Sequence, residues 1–368
     1  MNYKEYLLKS VLSRLYNYRL HKIQKQINAN AHPPLDNFKD IILTEEEKRQ
    51  IYSVWGRMKI DFSLDYFKIF KHYGFFSPFF VTNDILYPWI LNVLNPLDFR
   101  SAFNHKGLYP VFYEGMRRPE TAVYCINGQC YGPDNKAIGS RCLESFTFTG
   151  DWIVKPTLDH GGNGFRVIDN DKDRLPLLIK EYKGDFIVQE KLKQSPKTAV
   201  FNDSSLNTFR VTSLFLNDKV SVPSIIFKYG KKGALVDNVA AGSGTVVGLT
   251  TDGQFLDSAF NYLFDKVHTY ADGKPLKDVR IDEVKDIVDF VRENHQRYLP
   301  SMGVVGWDMA LDVDNKPVMI EVNTLYPGIL LVQLANKTPI MGERTEEVID
   351  VVCKCRPQLE IPYNRWFF

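Results

Sequence analysis

Apolar residues recur at helical spacing over residues 3–27. Leu8, Val11, Leu12, Leu15 and Ile23 fall near one stripe, with Lys4, Lys9, Arg14, Arg19, Lys22 and Lys25 elsewhere on the wheel. The spacing predicts an amphipathic helix, either docked on the main body or lying on a membrane surface through its basic face. Asn28–Pro34 reads as a linker. Thr44-Glu45-Glu46-Glu47 reads as an N-cap followed by an acidic first turn, which suits the positive end of a helix. Residues from about 60 to 100 are aromatic-rich and broken by Pro78, Pro88 and Pro96, predicting a small mixed domain ahead of the main fold. From about 101 onward strand and helix patterns alternate irregularly, and Lys277–Leu299 is the clearest later helix. The main body therefore reads as α+β.

The strongest apolar runs carry charges that do not belong in a core. Val318-Met319-Ile320-Glu321-Val322-Asn323 follows Gly306-Trp307-Asp308, and both runs read as buried strands. Side chains two apart on a strand share a face, so Glu321 and Asn323 converge on one point. If Asp308 lies on the neighbouring strand, three oxygen donors face one spot. A solvated strand face is the plain alternative, but an unpaired carboxylate in so apolar a run would be costly. Oxygen-only donors suit Mg²⁺, which shares its shell with waters and nucleotide phosphates.

Four further segments point to a nucleotide. Trp152-Ile153-Val154-Lys155-Pro156 is a short strand ending in a lysine, followed by the glycine-rich Asp159-His160-Gly161-Gly162-Asn163-Gly164-Phe165-Arg166. Gly161, Gly162 and Gly164 let the backbone approach an anion, and Lys155 supplies charge for phosphate oxygens. No Gly-Lys-Ser/Thr opens a helix here, so this is not a Walker loop. Phe186-Ile187-Val188-Gln189-Glu190-Lys191-Leu192 begins apolar and turns polar, as a strand end that reads a base and ribose would. Arg210, inside Phe209-Arg210-Val211, wants an anionic partner, whether a phosphate, a substrate carboxylate or a structural acid.

Composition narrows the class. The chain has 368 residues, 44% hydrophobic and 13% aromatic, enough for a large core in two or three lobes. A net charge of +2 with mixed signs argues against a general nucleic-acid binder. Five cysteines (Cys125, Cys130, Cys142, Cys353 and Cys355) lack metal-type pairing and read as reduced thiols of a cytoplasmic protein. No apolar run reaches the ~18 residues needed to span a bilayer. Lysines and arginines interrupt the N-terminus, unlike a cleavable signal.

The order lysine, glycine-rich loop, strand-end acid, arginine, aspartate and Glu-x-Asn resembles the ATP-grasp superfamily of carboxylate–amine ligases, which includes D-alanine–D-alanine ligase. The resemblance covers about residues 101–340. Leu206-Asn207-Thr208-Phe209-Arg210-Val211, Asp237-Asn238 and Gly242-Ser243-Gly244 look like the sugar-transfer-associated branch, linked with extracellular and capsular polysaccharide synthesis. The resemblance implies an ATP-grasp fold of two α+β subdomains gripping ATP between antiparallel sheets. Residues 1–100 would form a helical and small mixed N-terminal region, 101–190 the first subdomain, and 191–368 the second with a C-terminal helix.

Residue by residue, it implies that Lys106 and Lys155 contact phosphates under a lid at 159–166. Gln189, Glu190, Lys191 and Leu192 would form the hinge for adenine and ribose, and Ile320 would pack on the adenine. Asp308, Glu321 and Asn323 would hold Mg²⁺, with Glu321 between two ions, and Arg210 would steady the transferring group. Lys228, Asp237 and Asn238 would face substrate. Lys228 stands where the family often has an arginine, and lysine lacks bidentate recognition of a carboxylate.

The activity so implied is ATP-dependent amide formation through an acyl phosphate. The substrates would be an amine or amino acid and a carboxylate, with a sugar acid of a surface polysaccharide as the expected class. A kinase acting on a sugar or other small-molecule hydroxyl keeps the fold and changes the acceptor. A nucleotide-binding partner in a glycan-assembly complex is the third reading.

Overall fold

The computed structural model describes residues 3–31, 34–158, 164–231, 233, 244–261 and 263–359. The first hundred residues form helices alone among the described residues, beginning with Tyr3–Ala29. That helix runs into the stretch expected as linker. It docks through the buried Leu20 and Gln24, while Leu7, Val11, Leu15 and Tyr18 are exposed. Helix Glu45–Trp55 starts at Thr44 with a complete capping box. Thr44 Oγ1 accepts from the Glu47 N–H (3.1 Å), and the Thr44 N–H donates to Glu47 Oε2 (2.7 Å).

Two antiparallel sheets follow. The smaller has the order β2-β1-β5-β3-β4, from β1 (Thr121–Ile126), β2 (Gln129–Tyr131), β3 (Trp152–Pro156), β4 (Arg166–Val167) and β5 (Phe186–Glu190). Next come β6 (Thr208–Leu216), β7 (Lys219–Gly230), β8 (Gly244–Leu249), β9 (Phe255–Asn261) and β10 (Lys266–Val267). A two-stranded pair, β11 (Thr269–Tyr270) with β12 (Lys274–Pro275), precedes β13 (Val304–Leu311) and β14 (Pro317–Asn323). The larger sheet has the order β10-β9-β8-β7-β6-β13-β14.

Alternation along the large sheet divides its two faces. One face carries Val211, Phe227, Val247, Val305, Trp307 and Met319, in a core shared with helix Val284–Tyr298. This helix is shorter than the predicted Lys277–Leu299, because Leu276–Asp278 forms a separate 3-10 turn. The opposite face carries Leu214, Ile226, Val246, Phe260 and Val304 toward one end, in a core with the N-terminal helices and helix Leu330–Asn336. The segment predicted as a small mixed domain therefore shares its core with the main sheet. Its aromatic residues, among them Phe70, Phe80 and Trp89, are the apolar half of that contact.

Asn95 fastens this N-terminal layer to the strand ends. Its amide donates to the Val304 and Thr324 carbonyls (2.7 and 2.8 Å) and accepts from the Val304 N–H (2.9 Å). The cysteine expectation is corrected at one place. Cys125 and Cys130 lie directly across the β1–β2 hairpin and are joined as a disulfide, leaving Cys142, Cys353 and Cys355 free. Asn127 and Gly128, both at positive φ, make the tight turn that brings the pair into register. Cysteine usage thus no longer argues for a reducing compartment. No described helix is long and apolar enough to cross a membrane.

Candidate functional site

On the N-terminal-facing side of the large sheet, at β13 and β14, charged residues collect. Asp308 on β13 pairs in register with Glu321 on β14 and Arg210 on β6, and Gly306 pairs with Asn323. Directly paired residues share a face. Glycine at 306 is required by crowding, since a Cβ there would stand 3.0 Å from the Pro327 carbonyl. The register shifts between Asp308 and Met309, leaving Ile320 as an extra residue on β14. Such a bulge breaks the alternation. Consistently, Ile320 and Glu321 are both partly exposed between the buried Met319 and Val322.

Each carboxylate has a cation. Arg210 grips Asp308 with two bonds, Nε to Oδ1 at 2.7 Å and Nη2 to Oδ2 at 3.0 Å, while its Nη1 donates to the Pro327 carbonyl (2.7 Å). Lys228 Nζ lies 3.0 Å from Asp308 Oδ1. The Asn323 amide is 3.5 Å from Asp308 Oδ2. Burial alone would raise the Asp308 carboxyl, but Arg210 and Lys228 override it and hold the group well below the usual carboxylate range. Lys106 Nζ lies 3.0 Å from Glu321 Oε1, and its backbone N–H is anchored on the Thr157 carbonyl (3.0 Å) at the end of β3.

The small sheet faces this group with its own lysine. Lys155 pairs with Ile187 and Ile153 with Gln189, so these four share one face, while Val154, Phe186 and Val188 enter the small sheet's core. Burial of the Lys155 ammonium, with the Lys106 charge nearby, brings it down to about 8 against the pull of Glu321 and Asp308. Among the described residues, Lys106, Lys155, Arg210 and Lys228 thus gather around Asp308 and Glu321. Lys155 has no salt bridge among the described residues, which leaves its charge for an anion.

The hinge residues end at a cleft of roughly 540 Å³, lined by Arg117, Trp152, Glu190, Lys191, Leu192 and Val318 among others. The volume suits a nucleoside-sized ligand. Lys155 is three residues along β3 from Trp152, about 10 Å of strand, and the odd spacing turns its side chain to the opposite face of the small sheet. Strand alternation separates the two polar hinge residues. Gln189 is buried on the Lys155 face, and its Oε1 has no hydrogen-bond partner among the described residues. Glu190 pairs with Trp152 on the other face, where Oε2 accepts weakly from the Glu120 N–H (3.4 Å). Strand pairing thus places Gln189 on the Lys155 face and Glu190 at the cleft.

Gly161, Gly162, Asp237 and Asn238 lie outside the described residues. Gly164 lies at positive φ where a Cβ would press on Pro156 (2.9 Å), and its carbonyl accepts from Tyr182 Oη (2.7 Å). Beside Arg210 the rings of Tyr87 and Tyr326 meet, a pairing without a signal in the sequence pattern. Tyr326 follows Asn323 by three residues and was open to suspicion. Tyr87 is more than two hundred residues away, with no local signal.

Among the described residues no group of three or more His, Cys, Asp or Glu side chains gathers, so no all-protein cage is formed. Two carboxylates and an amide on one sheet face make a partial oxygen shell. That fits Mg²⁺, which keeps waters and completes its shell with nucleotide phosphates.

The family model described as "Sugar-transfer associated ATP-grasp" matches residues 111–349. No curated protein matches the chain. Among solved structures, the L-amino acid ligase of Bacillus licheniformis is 15% identical over 68% of this chain and 48% of its own, with a TM-score of 0.39. The VanG D-Ala:D-Ser ligase of Enterococcus faecalis is 14% identical over 71% and 63%, at 0.41. Biotin carboxylase of Campylobacter jejuni is 11% identical over 69% and 46%, at 0.41. The chain spans less than two-thirds of the length of each.

Proposed function

The chain belongs to the sugar-transfer-associated ATP-grasp family, and from that premise we propose that it is an ATP-dependent ligase joining an amine or amino acid to a sugar acid, in the assembly of a surface polysaccharide. The observation that carries the reading is the pairing of Asp308 with Glu321 across β13 and β14, ringed by four cations. Lys106 and Lys155 would bind phosphate oxygens, and Gln189 Oε1 would accept from the adenine amino group. Ile320 would pack on the base, with Lys191 and Leu192 offering backbone groups at the hinge. Asp308, Glu321 and Asn323 would hold Mg²⁺, which supplies neutralisation of charge on the β- and γ-phosphates.

The substrate carboxylate would attack the γ-phosphorus, forming a C–O–P linkage and releasing ADP. The amine would then displace inorganic phosphate and lose a proton to make the amide. The protein's part is positioning and charge neutralisation rather than covalent chemistry. Arg210 and Lys228 would orient the carboxylate and steady the transferring group.

Hydroxylamine trapping tests this. Full-length protein given ATP, Mg²⁺, hydroxylamine and a panel of uronic acids is expected to yield ADP and a hydroxamate in equal amounts. With oxygen-18 in the carboxylate, label should appear in released phosphate. ADP formation with a phosphorylated sugar and no hydroxamate would replace the ligase reading by a kinase one.

A further inference from the structure

Among the described residues β14 is the outermost strand at its end of the large sheet, and it carries Glu321 and Asn323. The outer side of such a strand presents N–H and C=O groups that no neighbouring strand takes. Here the chain ahead of the small sheet takes them. The Met319 N–H donates to the Arg117 carbonyl (3.0 Å), the Val322 N–H to Tyr109 Oη (3.0 Å) and the Thr324 N–H to Asn104 Oδ1 (3.2 Å). Thr324 Oγ1 also donates to the Arg100 carbonyl (2.6 Å). Residues 100–117 thus cover the edge of β14 without adding a strand to it.

One of these bonds falls between the two oxygen donors. Val322 is the residue that separates Glu321 from Asn323, and both of its backbone groups meet the same side chain. The Tyr109 hydroxyl accepts from the Val322 N–H and turns its own proton to the Val322 carbonyl, a longer contact of 3.4 Å. The tyrosine is itself well held. It is buried on helix Tyr109–Phe112, with its ring edge-on to Tyr113 at 5.1 Å between centroids. Just before Glu321 the extra residue Ile320 interrupts the ladder to β13. Tyr109 therefore fixes the outer side of the strand next to the place where its inner side is irregular. Lys106, three residues before Tyr109, lies 3.0 Å from Glu321 Oε1, so one short stretch meets both the carboxylate and the backbone behind it.

We propose that Tyr109 is a positioning residue for the metal. By holding the Val322 peptide it sets the directions in which Glu321 and Asn323 point, and it touches neither the ion nor the nucleotide. The proposal rests on the reading of those two residues as Mg²⁺ ligands. Side chains aimed in advance need no reordering when the ion arrives, and groups that aim metal ligands are worth about 10–100-fold in affinity.

Calorimetric titration of ADP into the full chain, once with Mg²⁺ and once with a chelator, tests this without turnover. The readout is the factor by which Mg²⁺ tightens ADP. Tyr109→Phe removes one oxygen and keeps the ring, so this factor should fall roughly tenfold while ADP affinity in chelator stays as in the natural sequence. Tyr113→Phe is the control. It loses a bond from Tyr113 Oη to the Phe103 carbonyl (2.9 Å) in the same core, but none to β14. It should lower the thermal midpoint about as much as Tyr109→Phe and leave the Mg²⁺ factor unchanged. Glu321→Gln should reduce that factor at least as far as Tyr109→Phe does. A factor kept in Tyr109→Phe but lost in Glu321→Gln would overturn the positioning role and leave the metal assignment standing. Equal losses in Tyr109→Phe and Tyr113→Phe would overturn it in favour of general loosening of the core. A factor unchanged in Glu321→Gln would remove the metal reading and this proposal with it.

Discussion

Trp307 and Asp308 are adjacent in the chain and point to opposite faces of one strand, and the polar groups they meet are built on opposite rules. Behind the sheet, Trp307 Nε1 donates to Ser213 Oγ (2.8 Å), Ser213 Oγ meets His295 Nδ1 (2.7 Å), and His295 Nε2 meets the Met302 carbonyl (2.7 Å). The carbonyl can only accept, so Nε2 carries the proton and Nδ1 accepts from the serine. The set is closed: every polar atom named has its partner and no net charge remains. In front, Asp308 holds two cations, Glu321 holds a third, and Lys155 stands by without a full counter-charge. A buried network that only holds the fold satisfies itself. One that waits for a ligand keeps charge in hand.

The widest separation between the faces comes from Glu321→Gln. It removes a carboxylate from the front and leaves shape and the back face untouched. ADP release should fall by at least roughly a thousandfold, about 4 kcal/mol of barrier, while the thermal midpoint stays within a few degrees. Turnover at the original rate would sink the assignment of Glu321 to the metal.

The two faces were not equally legible in the sequence. Asp308, Glu321 and Asn323 announced themselves as charges in apolar runs, and the two-residue period placed Glu321 with Asn323. The bulge that makes Ile320 an extra residue beside Glu321 depends on the partner strand and has no local mark. For the same reason the local sequence does not tell Gln189 from Glu190, though pairing with Ile153 and Trp152 sends them to opposite faces. The Thr44 N-cap is readable because all its atoms lie within four residues, whereas the reciprocal bond from Glu47 is seen in the structure. The meeting of Tyr87 with Tyr326 is not readable, since it exists only once the N-terminal helices have docked. The Cys125–Cys130 pairing needed the hairpin register rather than the cysteine count.

The back face should respond to pH where the front does not define stability. Burial brings His295 down to about 4 from an ordinary value near 6.5. Between those values the unfolded chain binds a proton that the folded one refuses, so stability rises with pH through that window. Its contribution should be complete above about pH 6.5 and be lost as pH falls toward 4, by about 3 kcal/mol. Denaturant midpoints across that range should show the loss, and His295→Gln should flatten it. An unchanged slope in that variant would assign the acid sensitivity elsewhere.

The smallest effect tests the charge in hand most directly. Lys155→Ala removes a cation that the apo protein barely needs, so folding should be little changed or slightly favoured, because a buried ammonium is costly. ATP binding should weaken by roughly 1.5–3 kcal/mol, the scale of a charge-assisted hydrogen bond. With Lys155 brought down to about 8, raising the pH through that value removes its proton in the free protein. Nucleotide affinity should therefore fall between pH 7 and 9.5 in the natural sequence and fall less in Lys155→Ala. A pH slope identical in the two proteins would place the phosphate contact on Lys106 instead. Lys106 already has Glu321 as its partner, so it would have to leave that carboxylate to reach the nucleotide.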